Sequence, residues 1–153
     1  MIKFGLVNGF TKEEATDPSK KSEEEIVEAF IAWAKPLRDW TFAGQNPSFD
    51  RDFVQAACLR SHIDFPFAHR TLDTHSLAYM HMVQRGKSIP VANHRSALDL
   101  DAVLNYVGIP AEPTPHNALT GAFSHAEVIS RILYDKKLFP EFEEFPIPWL
   151  KEV

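Results

Sequence analysis

The chain carries one cysteine, Cys58, in 153 residues, so no disulfide framework can form within it. That thiol lies in the apolar-patterned run Phe53-Val54-Gln55-Ala56-Ala57-Cys58-Leu59, which reads as a buried structural cysteine rather than a nucleophile. No apolar run approaches the ~20 residues that a bilayer-spanning helix needs. The first residues have neither the basic segment nor the long apolar core of a secretory signal, so no membrane association and a cytoplasmic location are expected. Positive charge is scarce too. Sixteen Lys and Arg against 21 Asp and Glu leave a net charge of −5, which argues against a broad electrostatic grip on nucleic acid. A protein that holds a few nucleotides locally remains open. What is present is ordinary for a globular domain: 44% apolar, 12% aromatic and 24% charged residues, enough for one core at this length.

Helix signals follow one another along the chain. Ser22-Glu23-Glu24-Glu25 has capping-box spacing, and Ile26, Val27, Phe30, Ile31 and Ala34 recur at helical intervals, predicting a helix from about Ser22 to Lys35, closed by Pro36. Trp40-Thr41-Phe42-Ala43-Gly44 reads as a buried strand. Asn46 is a good N-cap and Pro47 suits the first helical position, so a helix from Pro47 to about Ser61 is expected, with Asp50 in its first turn. Arg70-Thr71-Leu72 should be extended, with Asp73 or Thr74 capping a helix that runs to Gly86. Lys87 to Arg95 reads as a loop. Ser96 and Asp99 form a capping pair for a helix Ala97 to Val107, stopped at Gly108 and Pro110. The last long helix should run from about Asn117 to Tyr134, with Leu119, Ala122, Phe123, Ala126, Ile129, Ile132 and Leu133 on its core side. Residues 139–153, with three prolines, should pack over the body as an irregular strap following a domain spanning 1–138. The reading is α/β and helix-rich. It finds two strands and a third candidate at Ile2 to Val7, fewer than the five or six of a usual sheet.

Three local patterns carry possible chemistry. The first is Gly44-Gln45-Asn46-Pro47-Ser48-Phe49-Asp50, a strand end, a turn and an acid opening a helix. The second is Thr71-Leu72-Asp73-Thr74-His75-Ser76-Leu77-Ala78. The third is His116-Asn117-Ala118-Leu119-Thr120-Gly121-Ala122, followed by Ala126-Glu127. In this order, from about Asn8 to Tyr134, they resemble the later part of the DEDDh-type 3′-to-5′ exonucleases. That family includes the proofreading subunit of bacterial DNA polymerase III, ribonuclease T and oligoribonuclease. The resemblance implies an RNase H-like fold acting on nucleic-acid 3′ ends. It further implies two Mg²⁺ or Mn²⁺ ions held by carboxylates, which activate water and stabilise the leaving oxygen. It makes Asp50 a metal-binding carboxylate, His116 the general base, and Asn46 and Phe49 residues of the nucleotide pocket. Each also has a plainer account. Asp50 favours a helix N-terminus by charge alone, His116 can be a surface or capping residue, Phe49 can be core and Asn46 a cap.

The match has gaps. No acid occurs in Met1 to Phe10, where the family's opening strand carries Asp-x-Glu, and Gly121 stands where the third motif has an aspartate. One carboxylate of four is matched, an incomplete sheet is expected, and the missing strands point to a start inside a longer reading frame. Asp52 should face solvent, and His125 lies one turn beyond Gly121. His75 and His81 lack zinc spacing and read as packing or surface residues. Three functions follow: an exonuclease completed by upstream acids; a non-catalytic module binding a nucleic-acid end or a polymerase partner; or an incomplete product with an open sheet edge, prone to form a homodimer. The loop from Arg85 to Arg95, with Lys87 and His94, is either a phosphate contact or an ordinary solvated basic loop.

Overall fold

A computed structural model of the chain describes residues 11–112 and 117–150. Its helices are α1 (Lys12–Ala15), α2 (Glu23–Ala34), α3 (Pro47–Arg60), α4 (Thr74–Gln84), α5 (Leu100–Tyr106) and α6 (Ala118–Tyr134). Its strands are β1 (Phe42–Gly44), β2 (Thr71–Asp73), β3 (Val91–Ala92) and β4 (Arg95–Ser96). The architecture is α/β and helix-rich, with β1 paired to β2 and β3 to β4. The candidate strand at Ile2 to Val7 lies outside the described residues. Among the described residues no helix is long and apolar enough to cross a membrane.

The described chain forms two compact units. The first holds residues 11–42 and Asn46–Leu72; the second holds Ala43–Gln45 and the chain from Asp73 onward. In the first unit, the Ser22 hydroxyl accepts from Glu25 N at 3.2 Å while the Glu25 carboxylate accepts from Ser22 N at 2.7 Å. This reciprocal cap opens α2 where the spacing placed it. α2 packs on α3 through Val27, Ala57 and Cys58. Phe67 then gathers Phe30, Phe42, Trp40 and Phe65, with ring centroids 5.1 to 5.8 Å away. Cys58 is buried, and desolvation pushes its thiol pKa up, as expected of a structural cysteine.

In the second unit, α4, α5 and α6 enclose Ala78, Met82, Leu98, Val103, Leu104, Val107 and Val128. The tail strap closes over them with Ile147 and Trp149, through two short 3-10 turns at Pro140–Phe142 and Pro148–Leu150. Gly108 permits that closure. Its φ is +82°, and a Cβ there would lie 2.6 Å from the Pro146 carbonyl oxygen and 2.9 Å from the Pro148 ring. Only glycine accepts both the conformation and the approach.

Four expectations change. α5 starts at Leu100, capped by Asp99, whose carboxylate accepts from Ala102 N at 3.0 Å. Ser96 is no cap because its hydroxyl is engaged by His75 Nε2 at 3.0 Å and Leu98 N at 3.4 Å, and its backbone belongs to β4. The Lys87 to Arg95 loop contains a hairpin, with Val91 opposite Ser96 and Ala92 opposite Arg95. Its two turn residues, Asn93 and His94, both have left-handed φ, the geometry that matches strand twist in two-residue hairpins. The core side of α6 also differs: Leu119 and Leu133 are exposed, while Ser124, Glu127, Val128, Ser130 and Arg131 are buried.

Candidate functional site

The turn into α3 begins at Gly44, which is buried with φ +155°. Gln45 is anchored in the second unit: its amide donates to the Leu98 carbonyl at 2.9 Å and its Oε1 accepts from the Thr74 hydroxyl at 2.8 Å. Asn46 then adopts the left-handed conformation, φ 51° and ψ 50°. That conformation is open to Asn more than to most residues, and it accounts for Asn at this position. The expected side-chain cap does not form, because N-capping requires extended backbone at that residue. Pro47 starts the helix buried.

Phe49 and Asp50 follow in the first turn of α3, both exposed. The Phe49 ring is 59% exposed and rests on Phe53, with centroids 4.7 Å apart. Arg51 binds in the other direction, donating to the His69 carbonyl and to Asp52 Oδ1. The Asp52 carboxylate, exposed as expected, is thereby engaged by Arg51. In the first unit, then, Asn46, Phe49 and Asp50 come together on one exposed turn.

His116 lies outside the described residues. Gly121, five positions on, occupies the first turns of α6, and a Cβ there would sit 3.2 Å from Glu112 Oε1. A side chain at 121 would therefore have to displace the Glu112 carboxylate by a few tenths of an ångström. One turn further, the His125 ring lies against Gly44, where a Cβ would come within 3.4 Å of Cδ2. Asp73 of the second pattern is the N-cap of α4, accepting from His75 N at 3.3 Å and from Ser76 N at 3.2 Å. His75 and His81 are packing residues: His75 reaches Ser96, and His81 Nδ1 is 2.7 Å from the Tyr106 hydroxyl.

The fit to a two-metal centre is poor. Among the described residues no three His, Cys, Asp or Glu side chains converge as a metal-holding group, and hard divalent ions require several oxygen ligands. Asp50 belongs to the first unit and Glu112 and His125 to the second.

A second group of side chains begins in the Arg85 to Arg95 loop, which the sequence offered either as a phosphate contact or as an ordinary solvated basic loop, without its aromatic partners. At the end of α4, Arg85, Lys87 and Ser88 meet Tyr106, Pro148 and Trp149 around a pocket of about 320 Å³. The only signal for it was the basic character of the loop after Gly86. Tyr106 and Trp149 come from elements far away in sequence. Compared with known proteins, the chain matches no family model, no curated protein and no solved structure.

Proposed function

We propose that this chain is a 3′-to-5′ exonuclease-family domain of RNase H-like fold that takes hold of a nucleic-acid 3′ end at the first turn of α3. The observation that carries the reading is the exposed Phe49 ring beside exposed Asn46 and Asp50. A single exposed apolar side chain is common. Here it stands at the residue to which the sequence resemblance gives a nucleotide-facing role. A phenyl face in water is a stacking platform for a base, worth about 1–3 kcal/mol. Supporting it, the strand-turn-helix at Gly44 to Asp50, the β2–α4 segment and α6 follow in the order the resemblance requires.

Binding is the activity these residues support best. Hydrolysis by Mg²⁺ or Mn²⁺, in this reading, belongs to a complete parent in which carboxylates beyond Asp50 hold the ions. Without them the domain serves as a module for a nucleic-acid end or a polymerase partner.

The test is fluorescence anisotropy with 3′-hydroxyl single-stranded DNA and RNA oligonucleotides, followed by a 3′-shortening assay in Mn²⁺. Wild-type chain should bind, Phe49→Ala should weaken binding about tenfold, the loss of one stacked base, and Asp50→Ala should still bind. Unchanged affinity in Phe49→Ala would sink the reading. Stepwise shortening that disappears in Asp50→Ala would put hydrolysis in this chain itself.

A further inference from the structure

The pocket at the end of α4 lies wholly in the second unit, away from the α3 turn in sequence, and it is built from preset parts. Arg85 is held at two points. Its Nε donates to His81 Nε2 at 3.1 Å, and its guanidinium carbon lies 5.3 Å from the centroid of the Trp149 ring. Among the described residues, its two terminal nitrogens make no hydrogen bond or ion pair. The guanidinium is thus oriented while both of its terminal nitrogens remain available. The Ser88 hydroxyl likewise has no partner among the described residues. Gly86, at φ +65°, turns the chain so that Lys87 and Ser88 line the same pocket as Arg85.

Aromatic side chains adjoin Arg85 in the pocket lining. His81 packs edge-on to Trp149 with centroids 4.4 Å apart, and Tyr106 lies 5.6 Å from the same indole. The Trp149 N–H is taken up by Asp135 at 2.6 Å, so the nearby acid is committed to the ring edge. Pro148 completes the lining. Two cations and a hydroxyl beside aromatic rings in one pocket suit a ligand with a compact anion at one end and a flat body at the other. A guanidinium fork matches the oxygens of a phosphate or carboxylate in pairs. The volume falls at the lower end of small-ligand sites.

We infer that this pocket binds the phosphate of a nucleotide through Arg85, Lys87 and Ser88, with the base against Tyr106 and Pro148. The phosphate can come from a free mononucleotide or from within a strand. Its recognition does not depend on the α3 turn, so either site can fail without the other.

The experiment is calorimetric titration of the full chain with adenosine 5′-monophosphate, adenosine, inorganic phosphate and a short oligonucleotide whose 3′ end is blocked. The monophosphate or the blocked strand should bind saturably, with adenosine and phosphate at least about tenfold weaker, the usual worth of a charge-assisted contact. Whichever of the two binds more tightly identifies the source of the phosphate. Arg85→Gln should lower that affinity about tenfold. Ser88→Asp, a change at an exposed residue that leaves the Arg85 contacts intact, should abolish it by placing a like charge beside the phosphate. The inference is overturned if inorganic phosphate binds as well as the nucleotide, if no titrant binds, or if Ser88→Asp in a normally melting protein binds as wild type.

Discussion

Arg131 Nε donates to Glu127 Oε1 at 2.7 Å, one helical turn apart, and both side chains are fully buried. Nothing in the pair is left unsatisfied. The Arg131 terminal nitrogens reach the carbonyls of Val107, Phe142 and Phe145, at 3.0 to 3.1 Å, and Glu127 Oε2 accepts from Leu138 N and Phe139 N. The pair thus ties α6, the end of α5 and the tail strap together.

Breaking the pair from one side strands a buried charge, which costs about 3–5 kcal/mol. Arg131→Met should therefore lower stability by that order in urea unfolding and make the strap the first site of limited proteolysis. The double variant Glu127→Leu/Arg131→Met should lose less than the single, since no lone charge remains. A double variant less stable than Arg131→Met would show that the strap depends on the carbonyl contacts more than on charge pairing.

Placing an aspartate at position 121 should harm this chain. Gly121→Asp puts a carboxylate into the space held by Glu112 Oε1, 3.2 Å from the added Cβ. Thermal melting should fall, and Glu112→Gln should recover part of the loss, with a coupling of about 0.5–3 kcal/mol for groups in contact. Additive effects in the double-mutant cycle would mean that Glu112 simply swings away.

Acid sensitivity should trace partly to His81. Burial is the main cause of its lowered pKa, Arg85 adds to it, and Asp135 opposes. With the folded pKa below the unfolded one, the unfolded chain takes up the proton first. Stability from this group is therefore whole above the ordinary histidine pKa, about 6.5, and is lost as pH falls from there towards the lowered folded value. Urea midpoints at pH 7.5 and pH 5 should converge in His81→Gln relative to wild type. An equal acid loss in the variant would assign the effect to other groups.

Local signals were readable wherever the chemistry is short-range. The capping box at Ser22 and Glu25, the cap at Asp73 and the stop at Gly108 all act within four residues, and each is observed. The α6 face was misread for the opposite reason. Its buried stripe, Ser124, Glu127, Val128 and Arg131, has ideal helical spacing but contains one apolar residue. Hydropathy cannot see a glutamate that accepts from backbone N–H groups, and an arginine that donates to backbone carbonyls, of a tail more than ten residues away. Of the candidate site, Asn46, Phe49 and Asp50 do share one exposed turn, while His116 lies outside the described residues.

The sequence by itself determined α2, α3, α4 and α6 with their starts, the thiol's structural character and the tight turn into α3, because caps, proline and glycine act through neighbouring backbone groups. Only the tertiary structure decided which face of α6 is core, that the Glu112 carboxylate crowds position 121, and that Arg85 and Ser88 share a pocket with Tyr106 and Trp149. Those outcomes depend on side chains brought together from distant segments. No local propensity encodes such a meeting, which arises only when packing and the satisfaction of buried polar groups are met at once.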